Sequence, residues 1–146
     1  MGAIALNKKA HFNFHILSTY QAGVVLKGSE VKSIRQGGIS ITDSFVFIKH
    51  DEVFIKNAYI KPYDKTSSFA PDPRRDIKLL LNRHEILKLK QKVNEKGLTI
   101  VPTKVYFDKS FVKVEIALCK GKQLFDKRDS LKEKDVLKSS LRQIKN

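Results

Sequence analysis

Val112, Val114, Ile116 and Leu118 fall on every second position of FVKVEIALC, with Phe111, Lys113 and Glu115 between them. Strand side chains point alternately to two faces, so this segment is expected to be a half-buried antiparallel strand, apolar inward and polar outward. The turn residues Asp108, Lys109 and Ser110 join it to LTIVPTKVYF, where Pro102 lacks an N–H and is confined to a bulge or an edge. Strands paired in this way leave unsatisfied edges, and closure of the sheet is the arrangement that removes them.

The rest of the chain extends this pattern. Ala10, Phe12, Phe14 and Ile16 alternate with His11, Asn13, His15 and Leu17, which reads as a strand whose histidines face solvent or RNA rather than a metal. Ser18 to Ala22 then breaks the alternation. Val24 to Leu26 suit a buried strand, Gly28 permits a turn, and Ser29 can cap a short helix with Val31 and Ile34 inward, ended by Gly37 and Gly38. Glu30 near the start of that helix suits its dipole, and the helix can plug one end of a barrel. Phe45–Ile48 and Val53–Ile55 form a hairpin around His50, Asp51 and Glu52, and Tyr59 to Tyr63 carry its second strand into the loop DKTSSFAPDPRRD, which holds the basic pair Arg74 and Arg75. After a strand at Lys78–Leu81, Asn82 and Glu85 have capping-box spacing for a helix buried through Ile86, Leu89 and Val93 and stopped by Gly97. The expected fold is mainly β: a closed antiparallel barrel of the oligonucleotide-binding kind, with two or three short helices and a basic C-terminal tail.

At 146 residues with 41% hydrophobic content, the chain has room for one core. It is expected to divide into a barrel domain over residues 1–119 and a tail over 120–146. From Lys120 onward nine Lys or Arg stand against four Asp or Glu, with few large apolar residues. Such a segment cannot offset an ordering entropy of ~1–2 kcal/mol per residue, so it is expected to be loose alone. Ser130 with Glu133, and the stripe Leu137, Leu141, Ile144, give it the means to become helical on an anionic partner.

A net charge of +14 makes nucleic acid the first partner to consider. No apolar run of about eighteen residues and no signal-peptide pattern is present, and Leu6 stands where myristoylation needs Ser or Thr, so a soluble, cytoplasmic protein with no membrane partner is expected. A single cysteine, Cys119, rules out an internal disulfide and a thiolate zinc cluster; its setting suggests packing. Neither GxxxxGK[ST] nor GxGxxG occurs, and no nucleophile–base set or paired carboxylates stand out. Basic residues interleave instead with Tyr20, Tyr59, Tyr106, Phe107 and other aromatics, a mixture suited to phosphate neutralisation and base stacking. No enzyme, cofactor or metal site is expected.

Five ordered stretches carry a resemblance: NKKAHFNF, AGVVLKGSEVKSIR, DPRRDIKLLL, KGLTIVPTKVYF and KGKQLFDKRDSLKEKD. Together they cover almost the whole chain and resemble the SmpB family, the SsrA-binding proteins of bacteria. The resemblance implies a small non-catalytic barrel that binds the tRNA-like part of tmRNA, accompanies it with elongation factor Tu to stalled ribosomes, and enables trans-translation. It implies that Tyr20, Gln21, Gly23, Glu30, Lys32, Leu80 and Lys113 hold the RNA. It also implies that the tail, through Lys122, Phe125, Asp126, Lys127, Arg128, Lys132, Lys134, Lys138 and Arg142, meets 16S rRNA in the decoding centre and forms a helix along the empty mRNA channel. Family members usually carry Glu where this chain has Gln21, His or Tyr where it has Phe125, and a Gly-Asn pair where it has Lys65, Thr66 and Ser67. A structural ribosomal or ribosome-assembly protein that binds rRNA is the competing reading, since it would be equally basic and equally free of catalytic residues.

Overall fold

The computed structural model describes residues 3–62, 72–94 and 97–121. Among them the order is β1 (Ala3–Leu6), α1 (Lys8–Asn13), β2 (Phe14–Val24), α2 (Gly28–Arg35), β3 (Ile39–Ser40), β4 (Phe45–Lys49), β5 (Glu52–Lys56), β6 (Tyr59–Ile60), β7 (Ile77–Leu80), α3 (Arg83–Val93), β8 (Leu98–Asp108) and β9 (Phe111–Gly121). The fold is mainly β, as expected. Seven strands form one antiparallel sheet in the order β1-β8-β4-β5-β7-β2-β9, and β9 also pairs with β8, so the pairing runs through six strands and returns to β8. β3 and β6 form a separate two-stranded sheet.

The β8–β9 hairpin forms where the alternation places it. Val112, Val114, Ile116 and Leu118 are buried, and the chain reverses at Lys109, whose φ of 59° lies in the left-handed region. Pro102 does sit at a bulge: it pairs with Ile116, Lys104 pairs with Glu115, and Thr103 is the extra residue between them. The β4–β5 hairpin closes through His50 and Asp51, with φ of 53° and 60°, the sign that a two-residue turn needs to match strand twist. In α3 the capping box is formed, Glu85 N–H donating to Asn82 Oδ1 at 2.8 Å. Leu89 is fully buried beneath α3, worth about 1.5–3 kcal/mol, with Ile86 and Val93 beside it.

Several expectations are corrected. The period-two run from Ala10 to Asn13 lies in α1, not a strand: Asn7 anchors the chain to β8 through its N–H on Thr103 O (2.8 Å) and its side-chain amide on Pro102 O (2.9 Å). Ser18 to Ala22 does not interrupt the strand either. β2 runs unbroken for eleven residues, and a bulge at Leu17, between the Ile16–Cys119 and Ser18–Leu118 pairs, swaps which residues face inward. β5 ends at Lys56, where Asn57 turns at φ 73°, so Tyr59 and Ile60 belong to the second sheet rather than to the hairpin. β1 is an added strand on β8, and α2 begins at Gly28, ahead of Ser29. β9 continues through Lys120 to Gly121.

Ile34 of α2, Leu89 of α3 and the inward residues of the strands form one core, including Ala22, Val53, Ile55, Ile77, Val105 and Ile116. α2 therefore packs over this core, with Val31 partly buried beside Ile34.

Candidate nucleic-acid interface

Register decides which outward side chains meet. Paired residues of an antiparallel sheet point to the same face, about 4.5–5.5 Å apart at Cβ. One row runs Tyr106–Lys113–Gly23–Leu80 across β8, β9, β2 and β7, extended by Ala3 on β1. The adjacent row runs Leu6–Lys104–Glu115–Gln21 across β1, β8, β9 and β2. Exposed apolar residues stand at the ends, Leu80 at 53% and Leu6 at 54%. Leu80 lies over Gly23: a Cβ at that glycine would stand 3.4 Å from Leu80 Cβ, in van der Waals contact with it.

A side-chain network ties the two rows together. The Tyr106 hydroxyl donates to Gln21 Oε1 at 2.5 Å, and Gln21 Nε2 donates to Glu115 Oε1 at 3.2 Å. Thr103, turned by the bulge and only 5% exposed, donates its hydroxyl to Glu115 Oε2 at 2.7 Å. The Lys104 ammonium sits 5.6 Å from the centre of the Tyr106 ring. Burial, followed by the charges of Asp108 and Glu115, raises the Tyr106 pKa above its ordinary value, so its hydroxyl stays a donor at neutral pH.

α2 borders this face where β2 ends. Its first turn is held by Glu30, a buried carboxylate that accepts from Lys27 N–H (2.8 Å) and takes Arg75 bidentately, Nε at 2.8 Å and Nη2 at 2.6 Å. The same guanidinium donates to Val25 O at 3.3 Å, which clamps the β2–α2 connection to the segment before β7. The hydrogen bond to Glu30 raises the Arg75 pKa. At the other end of the helix Arg35 lies 5.0 Å over the Phe107 ring.

The residues named from the sequence thus divide. Gln21, Gly23, Leu80 and Lys113 come together in the two rows. Tyr20 does not: it pairs with Ile116 on the inward face and packs against the core. Lys32 is an exposed residue of α2, and Glu30 is engaged by Arg75 rather than presented outward. The tail residues Lys122, Phe125, Asp126, Lys127, Arg128, Lys132, Lys134, Lys138 and Arg142 lie outside the described residues, as do Lys65, Thr66 and Ser67. Sequence reading missed Lys104 and Thr103 as members of the face and Arg75 as the partner of Glu30, and it placed Glu115 outward beside Lys113 without assigning it to the site. Pro102 was the available signal for the first two, because a bulge there resets which β8 residues point outward.

Farther along the same strands the outward face is covered. Ala10 of α1 packs with Val101 and Cys119. Burial pushes the Cys119 thiol up to about 11, consistent with a packing role. Among the described residues no group of three His, Cys, Asp or Glu could hold a metal, and no helix is long and apolar enough to cross a membrane.

Comparison with known proteins adds three findings. The family model described as SmpB protein matches residues 4–146. An SsrA-binding protein of Persephonella marina is 56% identical over 133 residues, covering 91% of this chain and 88% of the relative; one of Trichodesmium erythraeum is 46% identical over 143 residues, covering 97% and 92%. A chain from the solved structure described as "tmRNA-SmpB: a journey to the center of the bacterial ribosome" superposes with a TM-score of 0.68 at 42% identity, covering 95% of this chain and 97% of that one.

Proposed function

The chain belongs to the SmpB family, and from that premise we propose that it is a non-catalytic, cytoplasmic factor that binds the tRNA-like domain of tmRNA and brings it, with elongation factor Tu, to stalled ribosomes for trans-translation. The observation that carries this reading is the pair of cross-strand rows, which gathers Lys104, Lys113, Tyr106 and Gln21 on one outward face bordered by exposed Leu80. Lysines supply phosphate neutralisation, and the flat, partly aromatic surface suits sugars and unstacked bases. On this reading the six-strand ring of pairings is a closed barrel of the oligonucleotide-binding kind, and α2, clamped by Glu30 and Arg75, sets the border of the RNA site with Lys32 exposed on it. Residues 122–146 then act on the ribosome, with Asp126, Lys127 and Arg128 meeting 16S rRNA at the decoding centre and Lys132, Lys134, Lys138 and Arg142 following its phosphates along the mRNA channel.

Truncation after Gly121 should leave affinity for the tRNA-like domain nearly unchanged in a filter-binding titration. Changing Asp126, Lys127 and Arg128 together to Ala should abolish alanine transfer from tmRNA on ribosomes lacking mRNA beyond the P site, while tmRNA binding persists. Loss of tmRNA affinity on truncation, or full transfer by the triple variant, would sink this division of labour.

A further inference from the structure

We propose that Phe111, at the tip of the β8–β9 hairpin, is a stacking platform for one unpaired base of the bound RNA; the inference deepens the tmRNA-binding reading above and rests on it. With 67% of its surface exposed, Phe111 is the most exposed large apolar side chain among the described residues. It stands two residues before Lys113, and the β8–β9 register runs without a bulge between them, so the ring belongs to the same outward face. Asp108 pairs directly with Phe111, and the chain reverses at Lys109 in the left-handed region, so a two-residue turn fixes where the ring stands.

Phe111 does not stand alone. Val25 continues β2 by one residue, its N–H still donating to Lys78 O at 3.0 Å, so it follows Gly23 on the outward face. By the register of the Gly23–Lys113 pair it is level with Phe111. Val25 is 45% exposed, and Leu80, paired with Gly23, is 53% exposed. Three exposed large apolar side chains thus share one margin of a basic face. Isolated exposed apolar residues are ordinary, whereas a set of them on one margin of a surface marks a place where something binds.

The charges of this margin favour a base over a phosphate. Opposite Phe111 stands the carboxylate of Asp108, and Lys78, level with Val25 on β7, is engaged by Glu52 at 2.8 Å. A phosphate gains little there. An aromatic ring accepts a base of any identity, because every base has a π-face, and Lys109 at the turn and Lys113 along the strand leave a cation on each side of the ring for the flanking phosphates. Lys113 then holds the backbone, and Phe111 holds the base beside it.

The test is a titration of the tRNA-like domain of tmRNA, with an unrelated RNA hairpin as reference, using the full chain as wild type, Phe111→Leu and Phe111→Tyr. Leucine keeps an apolar side chain and removes the ring; tyrosine keeps the ring. Phe111→Leu should bind the tRNA-like domain about fivefold more weakly or worse, with its melting temperature and the salt dependence of its binding unchanged, and Phe111→Tyr should bind as wild type does. A second arm places 2-aminopurine, whose fluorescence is quenched by stacking, at each unpaired position in turn. One position should be quenched by wild type and by Phe111→Tyr but not by Phe111→Leu. Wild-type affinity in Phe111→Leu, equal losses in both variants, a loss that tracks a fall in melting temperature, or no position whose quenching depends on the ring would overturn the inference while tmRNA binding stands. A wild-type protein that binds the tRNA-like domain no better than the hairpin would overturn both readings.

Discussion

β2, β8 and β9 share one outer face, and its two halves meet different surroundings. Toward Lys113 and Gln21 it is open, polar and tied by side-chain hydrogen bonds. Toward Cys119 and Val101 it is roofed by α1 and apolar. The same strands, with the same alternation, therefore carry a recognition surface at one end and a second small core at the other. Two bulges draw the boundary. At Leu17 and Thr103 an extra residue reverses the alternation, so Ile16 joins the covered half while Lys104 and Glu115 line up in the open one.

If that division is right, charge should be ruinous in one half and nearly free in the other. Cys119→Asp would bury an unpaired carboxylate and should cost roughly 3 kcal/mol or more in denaturant unfolding, whereas Lys113→Asp should stay within about 0.5 kcal/mol. Similar costs for the two would erase the contrast.

The thiol offers a gentler probe of the roof. With its pKa near 11 rather than the ordinary 9.0, native Cys119 should hold about a hundredfold less thiolate at pH 8 than the unfolded chain, and its alkylation should be slower by at least that factor. The raised value favours the neutral form in the folded protein. Its contribution to stability is thus complete below pH 9 and is lost as pH rises toward 11. Alkylation as fast in the native state as in denaturant would place Cys119 in the open.

On the open half Lys113→Ala should lower the dependence of log affinity for tmRNA on log salt by about one phosphate, a slope change of roughly 0.9, without altering the melting temperature. An unchanged slope would remove Lys113 from the contacts. The smallest effect is expected from Tyr106→Phe, which deletes one partly exposed hydrogen bond to Gln21 and should cost about 1 kcal/mol or less in stability. Its RNA affinity should fall more than its stability, because Gln21 loses the group that orients it; a larger loss of stability than of affinity would make the network purely structural.

Legibility followed locality. Asn82 and Glu85 are three residues apart and their cap is complete within one helical turn, so α3 was readable. The α2 cap holds the same signal only in part: Lys27 N–H and Glu30 are three residues apart, but the group that neutralises the carboxylate, Arg75, lies forty-five residues away. Period two identified β9 and failed at Ala10 to Asn13, where Asn7, by hydrogen-bonding β8, starts a helix instead. Of the face, Gln21, Gly23, Leu80 and Lys113 were found through resemblance, and Tyr20 shows the limit of that route: one residue from Gln21 in sequence, it lies on the opposite side of the sheet.

By itself the sequence determined the strands with unbroken alternation, the turns, the α3 cap, the confinement of Pro102 to a bulge or an edge and the excess of positive charge, because each is settled by neighbours within a few residues. The tertiary structure alone decided that β2 pairs with β9, so that the run of pairings returns to β8, that α1 covers Cys119, that Arg75 meets Glu30 and that Glu115 sits among Lys104, Gln21 and Thr103. Those outcomes depend on cross-strand register, and register is set by the packing of the whole core rather than by any one segment.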